Sequence, residues 1–191
     1  MELAIEAGHD AAHSTVSHRL VRGLSNDARE FAAIVAIETA PAMPAAAFAA
    51  AAAAGTGGGV AELAEALARR VLHQATDGRL DCRDETVRAT LLAGRSAAWV
   101  RTARHAWIAV LDEEEDGVVA VADQLAELPD WPVDDAVQRF DRAEIWADSR
   151  GLTDLAMRNA RRARDLMVGV YGPDHPLVMR REIDITWSTA T

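Results

Sequence analysis

Arg158, Arg161, Arg162 and Arg164 crowd into one stretch of an otherwise acidic chain. At helical spacing Arg158 and Arg162 share one face, and Arg161 and Arg164 share another. Guanidinium groups so arranged could receive a phosphate or an acidic peptide. The plainer origin is a solvated face paired with nearby carboxylates such as Asp154 and Asp165. His9 and His13 are one helical turn apart, a spacing that can chelate zinc, and His18 follows. No further ligand stands at usable spacing, so these are expected to be surface histidines and no metal is assigned. Cys82 has no paired histidine. No nucleophile, base and orienting acid stand together, so the chain reads as non-catalytic and without a cofactor. "GTGGGV", residues 55 to 60, lacks the Gly-Lys-Ser/Thr ending of a phosphate loop and follows alanines, not a strand.

The bulk chemistry narrows the classes further. The chain has 191 residues, half of them apolar, a formal charge of −10 and a pI of about 5.0. That balance disfavours non-specific binding to nucleic acid or to membranes. A single cysteine excludes an internal disulfide framework and a cysteine-based zinc finger. With no basic, apolar leader in "MELAIEAGHD", the expected location is the cytoplasm. The most hydrophobic region, residues 31 to 55, is interrupted by Glu38, Thr39, Pro41 and Pro44, so no membrane span is expected.

The elements that must carry these residues are almost all helical. "LSNDAREFAAIVAIE" opens on a cap-like Ser25/Asn26/Asp27 cluster and then runs apolar at helical spacing. Pro41 and Pro44 break it, a short alanine helix follows, and "GTGGG" is read as a flexible break. "VAELAEALARRVL" is amphipathic, with Leu63, Leu67, Val71 and Leu72 on one side. Residues 73 to 84 hold the one strand signal, a hairpin with Asp77-Gly78 at its tip. Helices are then predicted over roughly 85–114, 117–128, 134–149, 152–171 and from 176 onward. "DEEED", residues 112 to 116, and "LPDWPVDD", residues 128 to 135, are the joints. Trp99, Trp107, Trp131, Trp146 and Trp187 are expected to serve packing, with Trp131, in its loop, the exposed one.

The end of the chain is the most informative part. Leu152, Leu155, Ala156, Ala160, Ala163, Leu166, Met167 and Val170 form an apolar stripe whose centre is alanine. Gly172 can end that helix, Pro173 blocks its continuation, Asp174 or His175 can cap the next, and Pro176 suits its first turn. The preceding helix has Asp135 and Gln138 at capping-box spacing, places Val137, Phe140, Ile145 and Trp146 near one side, and ends at Gly151. Helix, glycine turn, helix, Gly-Pro turn, helix is the unit of an α-solenoid.

"AMRNARRARDLMVGVYGPDHPLV" closely resembles the second helix and exit turn of a kinesin-light-chain-type tetratricopeptide repeat. The likeness covers about 137 to 185, with Ala156 and Ala163 at the helix crossing and Gly151 at the inter-helix turn. The chain departs from the pattern at Glu144, where a small residue is preferred, and at Ala147 and Ala160, where aromatics are. The resemblance implies protein–protein recognition by the first helix of the pair. Carried to this chain, that face holds Gln138, Asp141, Arg142, Ile145, Asp148 and Ser149.

The N-terminal half has a weaker likeness. "VSHRLVRGLSNDAREFAAIVAIETAPAMPAAAFAAAAA" resembles the segment after the ATPase core in bacterial STAND (NB-ARC) signalling ATPases, where a winged helix opens and tetratricopeptide repeats often follow. "HSTVSHRLVRG", residues 13 to 23, also resembles the recognition helix of a helix-turn-helix regulator. Ser14, Thr15 and Ser17 would then touch phosphates and Arg19 and Arg22 would read bases.

The expectation is therefore a mainly α protein. A helical, winged-helix-like domain occupies residues 1–90, and a tetratricopeptide-like α-solenoid occupies residues 91–191. The expected function is that of a non-catalytic interaction module for a protein or peptide partner, part of or derived from a bacterial signalling protein, with self-association through the C-terminal helix as a second mode. The rivals are a DNA-binding transcriptional regulator and a structural fragment of a larger ATPase.

Overall fold

A computed structural model describes residues 15–38, 40–112 and 117–188, and over these the chain is mainly helical. It divides into two compact units, one reaching to Val110 and the other starting at Leu111. Each is described by itself.

The first unit is built around one buried helix. Helix α1 covers residues 15–22, and α2 is Asn26–Ile37. Ser25 caps α2, its hydroxyl accepting the Ala28 amide at 3.3 Å. The same residue ties α2 to α4 (Val60–Ala68): its amide and hydroxyl donate to the two carboxylate oxygens of Glu65, each at 2.7 Å. These bonds to the charged form hold the Glu65 carboxyl below its ordinary value. From Phe31 to Ile37 every residue of α2 is buried. A helix enclosed on all sides reads as a continuous apolar run, which is what "FAAIVAI" is. The helix α3, Pro44–Ala53, starts on a proline where no amide donor is needed and buries Ala46, Ala47, Ala50 and Ala51.

Such close packing explains the glycine run. A β-carbon on Gly58 would stand 2.8 Å from the Phe31 ring and 2.9 Å from the Ala51 methyl. The segment expected as a flexible break is thus a place where backbone lies against the core. Helix α4 is shorter than its pattern: it ends at Ala68, and Arg70 takes φ +58°. Val71 and Leu72, expected on the helix, are buried beyond the turn, their amides returning to the Ala66 carbonyl.

The predicted hairpin is present. Strands β1 (His73–Gln74) and β2 (Leu80–Asp81) pair antiparallel, with His73 opposite Asp81 and Gln74 opposite Leu80. Gly78 supplies φ +86° at the tip, and the Asp77 carboxylate accepts the Arg79 amide at 3.1 Å. Ala42, between α2 and α3, bridges Leu80 from the other side with bonds of 2.9 and 2.7 Å. The extended segments therefore lie in the order Ala42, Leu80, Gln74, and Leu80 at their centre is fully buried.

The single helix predicted over 85–114 is two helices, α5 (Glu85–Leu92) and α6 (Ala97–Leu111). Gly94 takes φ +76°, and the Ser96 hydroxyl accepts the Trp99 amide at 3.1 Å to start α6. Both helices serve the C-terminal end of α2, whose last carbonyls have no intrahelical donors. The Arg88 guanidinium of α5 donates to the carbonyls of Ala36 (2.6 Å) and Glu38 (2.9 Å) and to that of Cys82 at the end of β2 (3.0 Å). The Trp107 indole of α6, itself fully buried, donates to the Ile34 carbonyl at 2.8 Å. Part of the stretch expected to open the repeat region is thus held by the first unit.

The second unit holds α7 (Val118–Ala126), α8 (Val133–Asp148), α9 (Thr153–Tyr171) and α10 (Pro176–Ser188). Gly151 at φ +68° and Gly172 at φ +84° sit at the turns after α8 and α9. His175 starts α10: its ring Nδ1 accepts the Leu177 amide at 3.3 Å, and its ring stacks on Tyr171 with centroids 4.9 Å apart. The expected capping box is not formed. Helix α8 begins after Pro132, and the Asp135 carboxylate, already inside the helix, accepts instead from the Trp131 indole and from Arg139 Nε. Desolvation raises the Asp135 carboxyl, but these bonds and the Arg139 charge outweigh it and leave it below its ordinary value. Trp131, expected to be exposed, is half-buried for the same reason.

Arg88→Ala removes the guanidinium donors to three carbonyls and should lower stability by about 2–4 kcal/mol; Trp107→Phe loses one bond and leaves a small cavity at a fully buried site, and should cost about 2–4 kcal/mol. Urea unfolding followed by circular dichroism measures both, and unchanged midpoints would contradict the role given to these side chains.

Candidate functional site

Helix α8 has two unlike sides. Ala136, Phe140, Ala143 and Ala147 recur at four- and three-residue steps and are buried. The apolar side predicted through Val137, Phe140, Ile145 and Trp146 is rotated from this one, and of those four residues only Phe140 is buried. On α9 the buried positions are Ala156, Asn159, Ala160 and Ala163. Alanine on both helices removes the bulk that would hold the two backbones apart. The rest of the predicted stripe on α9 is less covered; Val170 is exposed.

The arginine cluster on α9 is largely spent on structure. Arg162 pairs with Asp123 of α7 at 2.6 Å and Arg158 with the same carboxylate at 3.4 Å, while Arg164 pairs with Asp165 at 2.9 Å and with Glu182 of α10 at 3.3 Å. Arg162 also lies over the Phe140 ring, 5.9 Å from its centroid. Arg158 and Arg161 are the exposed pair of the four, and Arg161 makes no ion pair among the described residues. Asp123 and the fully buried Asn159, which receives Arg162 at 3.4 Å, carry no local sequence signal.

The residues singled out for partner contact lie on the other side of α8. Gln138, Arg142, Ile145, Asp148 and Ser149 are all exposed, Ile145 at 69%. Positions 138, 142, 145 and 149 make one stripe along the helix. Ser149 is the C-cap, its hydroxyl donating to the Trp146 carbonyl at 2.8 Å. Asp141 differs from the rest. It is half-buried and paired at 2.8 Å with Arg181 of α10, which also holds Glu144. Burial raises the Glu144 carboxyl above its ordinary value, with Arg181 opposing. Asp141 therefore anchors α10 rather than offering a free charge, and Glu144, out of place in the repeat pattern, is its companion. Arg142 and Asp148 make no ion pair among the described residues.

Other candidate chemistry resolves as follows. Cys82 is buried, and burial pushes its thiol up to about 11, far from a reactive thiolate at neutral pH. His9 and His13, and with them Ser14, lie outside the described residues. Among the described residues no group of histidine, cysteine and carboxylate side chains is arranged to hold a metal. In the helix that resembled a DNA reader, Thr15, Arg19 and Arg22 are exposed, but Ser17 is 2% exposed and faces inward, so it is unavailable to a phosphate. Trp187 has no described side chain. The chain matches no protein-family model, no curated protein and no solved structure.

Arg181→Ala removes the cation between Asp141 and Glu144 and should destabilise the second unit by about 1–2 kcal/mol. Hydrogen exchange should show α10 losing protection first, with the α8–α9 pair retained; uniform loss, or none, would contradict the clamp.

Proposed function

We propose that the chain is a non-catalytic protein–protein interaction module whose second unit is a tetratricopeptide-like helix pair followed by the first helix of a further repeat. The observation that carries this reading is the outer stripe of α8: an exposed isoleucine between an arginine and an aspartate that make no ion pair among the described residues, on a helix held from behind by alanine packing. Surfaces of this kind recognise an extended or helical peptide through an apolar anchor flanked by charge. The turn chemistry at Gly151, Gly172, His175 and Pro176 supports the likeness to the repeat family. In the first unit, the order α2, Ala42 bridge, α3, α4, β1, β2, with Leu80 central among the extended segments, supports a winged helix. A winged helix followed by repeats fits a part or derivative of a bacterial signalling ATPase. None of the described helices is long and apolar enough to cross a membrane.

A second mode rests on α10. Only Val178 of its described side chains is buried, while Leu177, Met179 and Ile183 are exposed. With Arg164 and Val168 of α9, this helix borders an open, mainly apolar groove of about 550 Å³. Self-association through this face is the alternative use of the unit.

The test compares Ile145→Glu/Arg142→Glu with the wild type and with Arg161→Glu in nuclease-treated lysate. Exposed and unpaired positions should tolerate these changes within about 0.5 kcal/mol. Proteins captured by wild type and Arg161→Glu but lost from the α8 double variant support the face. Equal capture by all three, or a concentration-dependent dimer abolished by Ile183→Asp with no differential capture, moves the function to α10.

A further inference from the structure

A groove in the first unit concentrates positive charge in a chain of net charge −10. It is bordered by His18 and Arg22 of α1, Arg29 and Glu30 of α2, Thr90 of α5, and Gly94 and Arg95 of the turn into α6, and is open, with a volume of about 430 Å³. Three arginines from three separate elements thus line the groove with one carboxylate. Glu30 is already committed to Arg95, which is further held by the Trp99 ring 4.5 Å from its carbon and by the Leu91 carbonyl at 3.4 Å. Arg95 is in this way fixed in place.

The other two cations have no ion pair among the described residues. Arg22 is exposed and has no acidic partner among the described residues. Arg29 gives one terminal nitrogen to the Leu24 carbonyl at 3.2 Å, and its Nε is buried with no partner. Unlike Arg158, Arg162 and Arg164 of α9, neither Arg22 nor Arg29 has a carboxylate partner among the described residues. Rigid guanidinium forks match tetrahedral phosphate oxygens, and more forks converge here than a single carboxylate can occupy. The volume is in the ordinary range for small-molecule pockets.

We propose that this groove between α1, α2 and the α5–α6 turn is a binding site for a small phosphate-bearing ligand, with Arg22 and Arg29 as the contacting cations and Arg95 as the fixed wall. The site is independent of the α8 face.

Calorimetric titration of the full chain with sodium pyrophosphate, at constant ionic strength, tests it. Arg22→Glu is the site variant and Arg161→Glu the control for general charge. Wild type and Arg161→Glu should bind with like affinity, and Arg22→Glu at least about tenfold more weakly. Amide shifts of the wild type on adding pyrophosphate should centre on His18, Thr90 and Gly94, which keeps the test valid should the variant fold poorly. No binding by the wild type, equal affinity in all three proteins, or shifts centred elsewhere would overturn the proposal. So would binding of duplex DNA without binding of pyrophosphate, which would return residues 15–22 to the DNA-reading role.

Discussion

A helix buried on every side leaves its last carbonyls away from water, and the first unit is organised around meeting that demand on α2. Its C-terminal acceptors cannot be served by α2 itself. Arg88 and Trp107 reach them from α5 and α6, and Arg88 also takes the carbonyl that closes β2. One guanidinium therefore joins the end of the central helix to the end of the hairpin. The placement of α5 and α6 follows from this, because each must bring one donor to a fixed set of acceptors. The alanine-rich α3 and Gly58 add the least bulk beside α2, and at Gly58 even a methyl group would meet Phe31 and Ala51.

The second unit solves a different problem with similar means. The alanines of α8 and α9 allow close approach, and ion pairs at the margin orient the neighbouring helices: Asp123 receives arginines of α9, while Arg181 receives carboxylates of α8. These pairs take up the charges that looked available in the sequence, among them Asp141 and most of the arginine cluster. What remains free on α8 is defined by subtraction: Arg142, Ile145 and Asp148, with Gln138 and Ser149 at the ends. The functional reading rests on that remainder.

Local chemistry was legible in the sequence, and long-range pairing was not. The Ser25 cap, the Asp77-Gly78 tip and the stops at Gly151 and Gly172 depend on a few adjacent residues and stand where they were expected. The break at Gly94 was also local but lay within a stretch read as one continuous helix. The role of Arg88 joins positions 52 residues apart, and Arg162 meets Asp123 across 39. No spacing rule encodes either. Asp135 shows how context displaces a local signal: its carboxylate had capping-box spacing, but Trp131 and Arg139 offered better donors once the helix began earlier. Ile145 was assigned both to an apolar side and to the outer face, and the alanine crossing decided for the outer face.

The claim that most needs testing is that the outer stripe of α8 is a recognition surface. Selection of peptides from a displayed random library against the full chain, followed by amide-shift mapping of a selected peptide, tests it directly. The account predicts peptides with an apolar anchor flanked by charge, and shifts centred on Gln138, Arg142, Ile145, Asp148 and Ser149. Peptides that map to the α9–α10 groove or to the first unit, with α8 unperturbed, would contradict it.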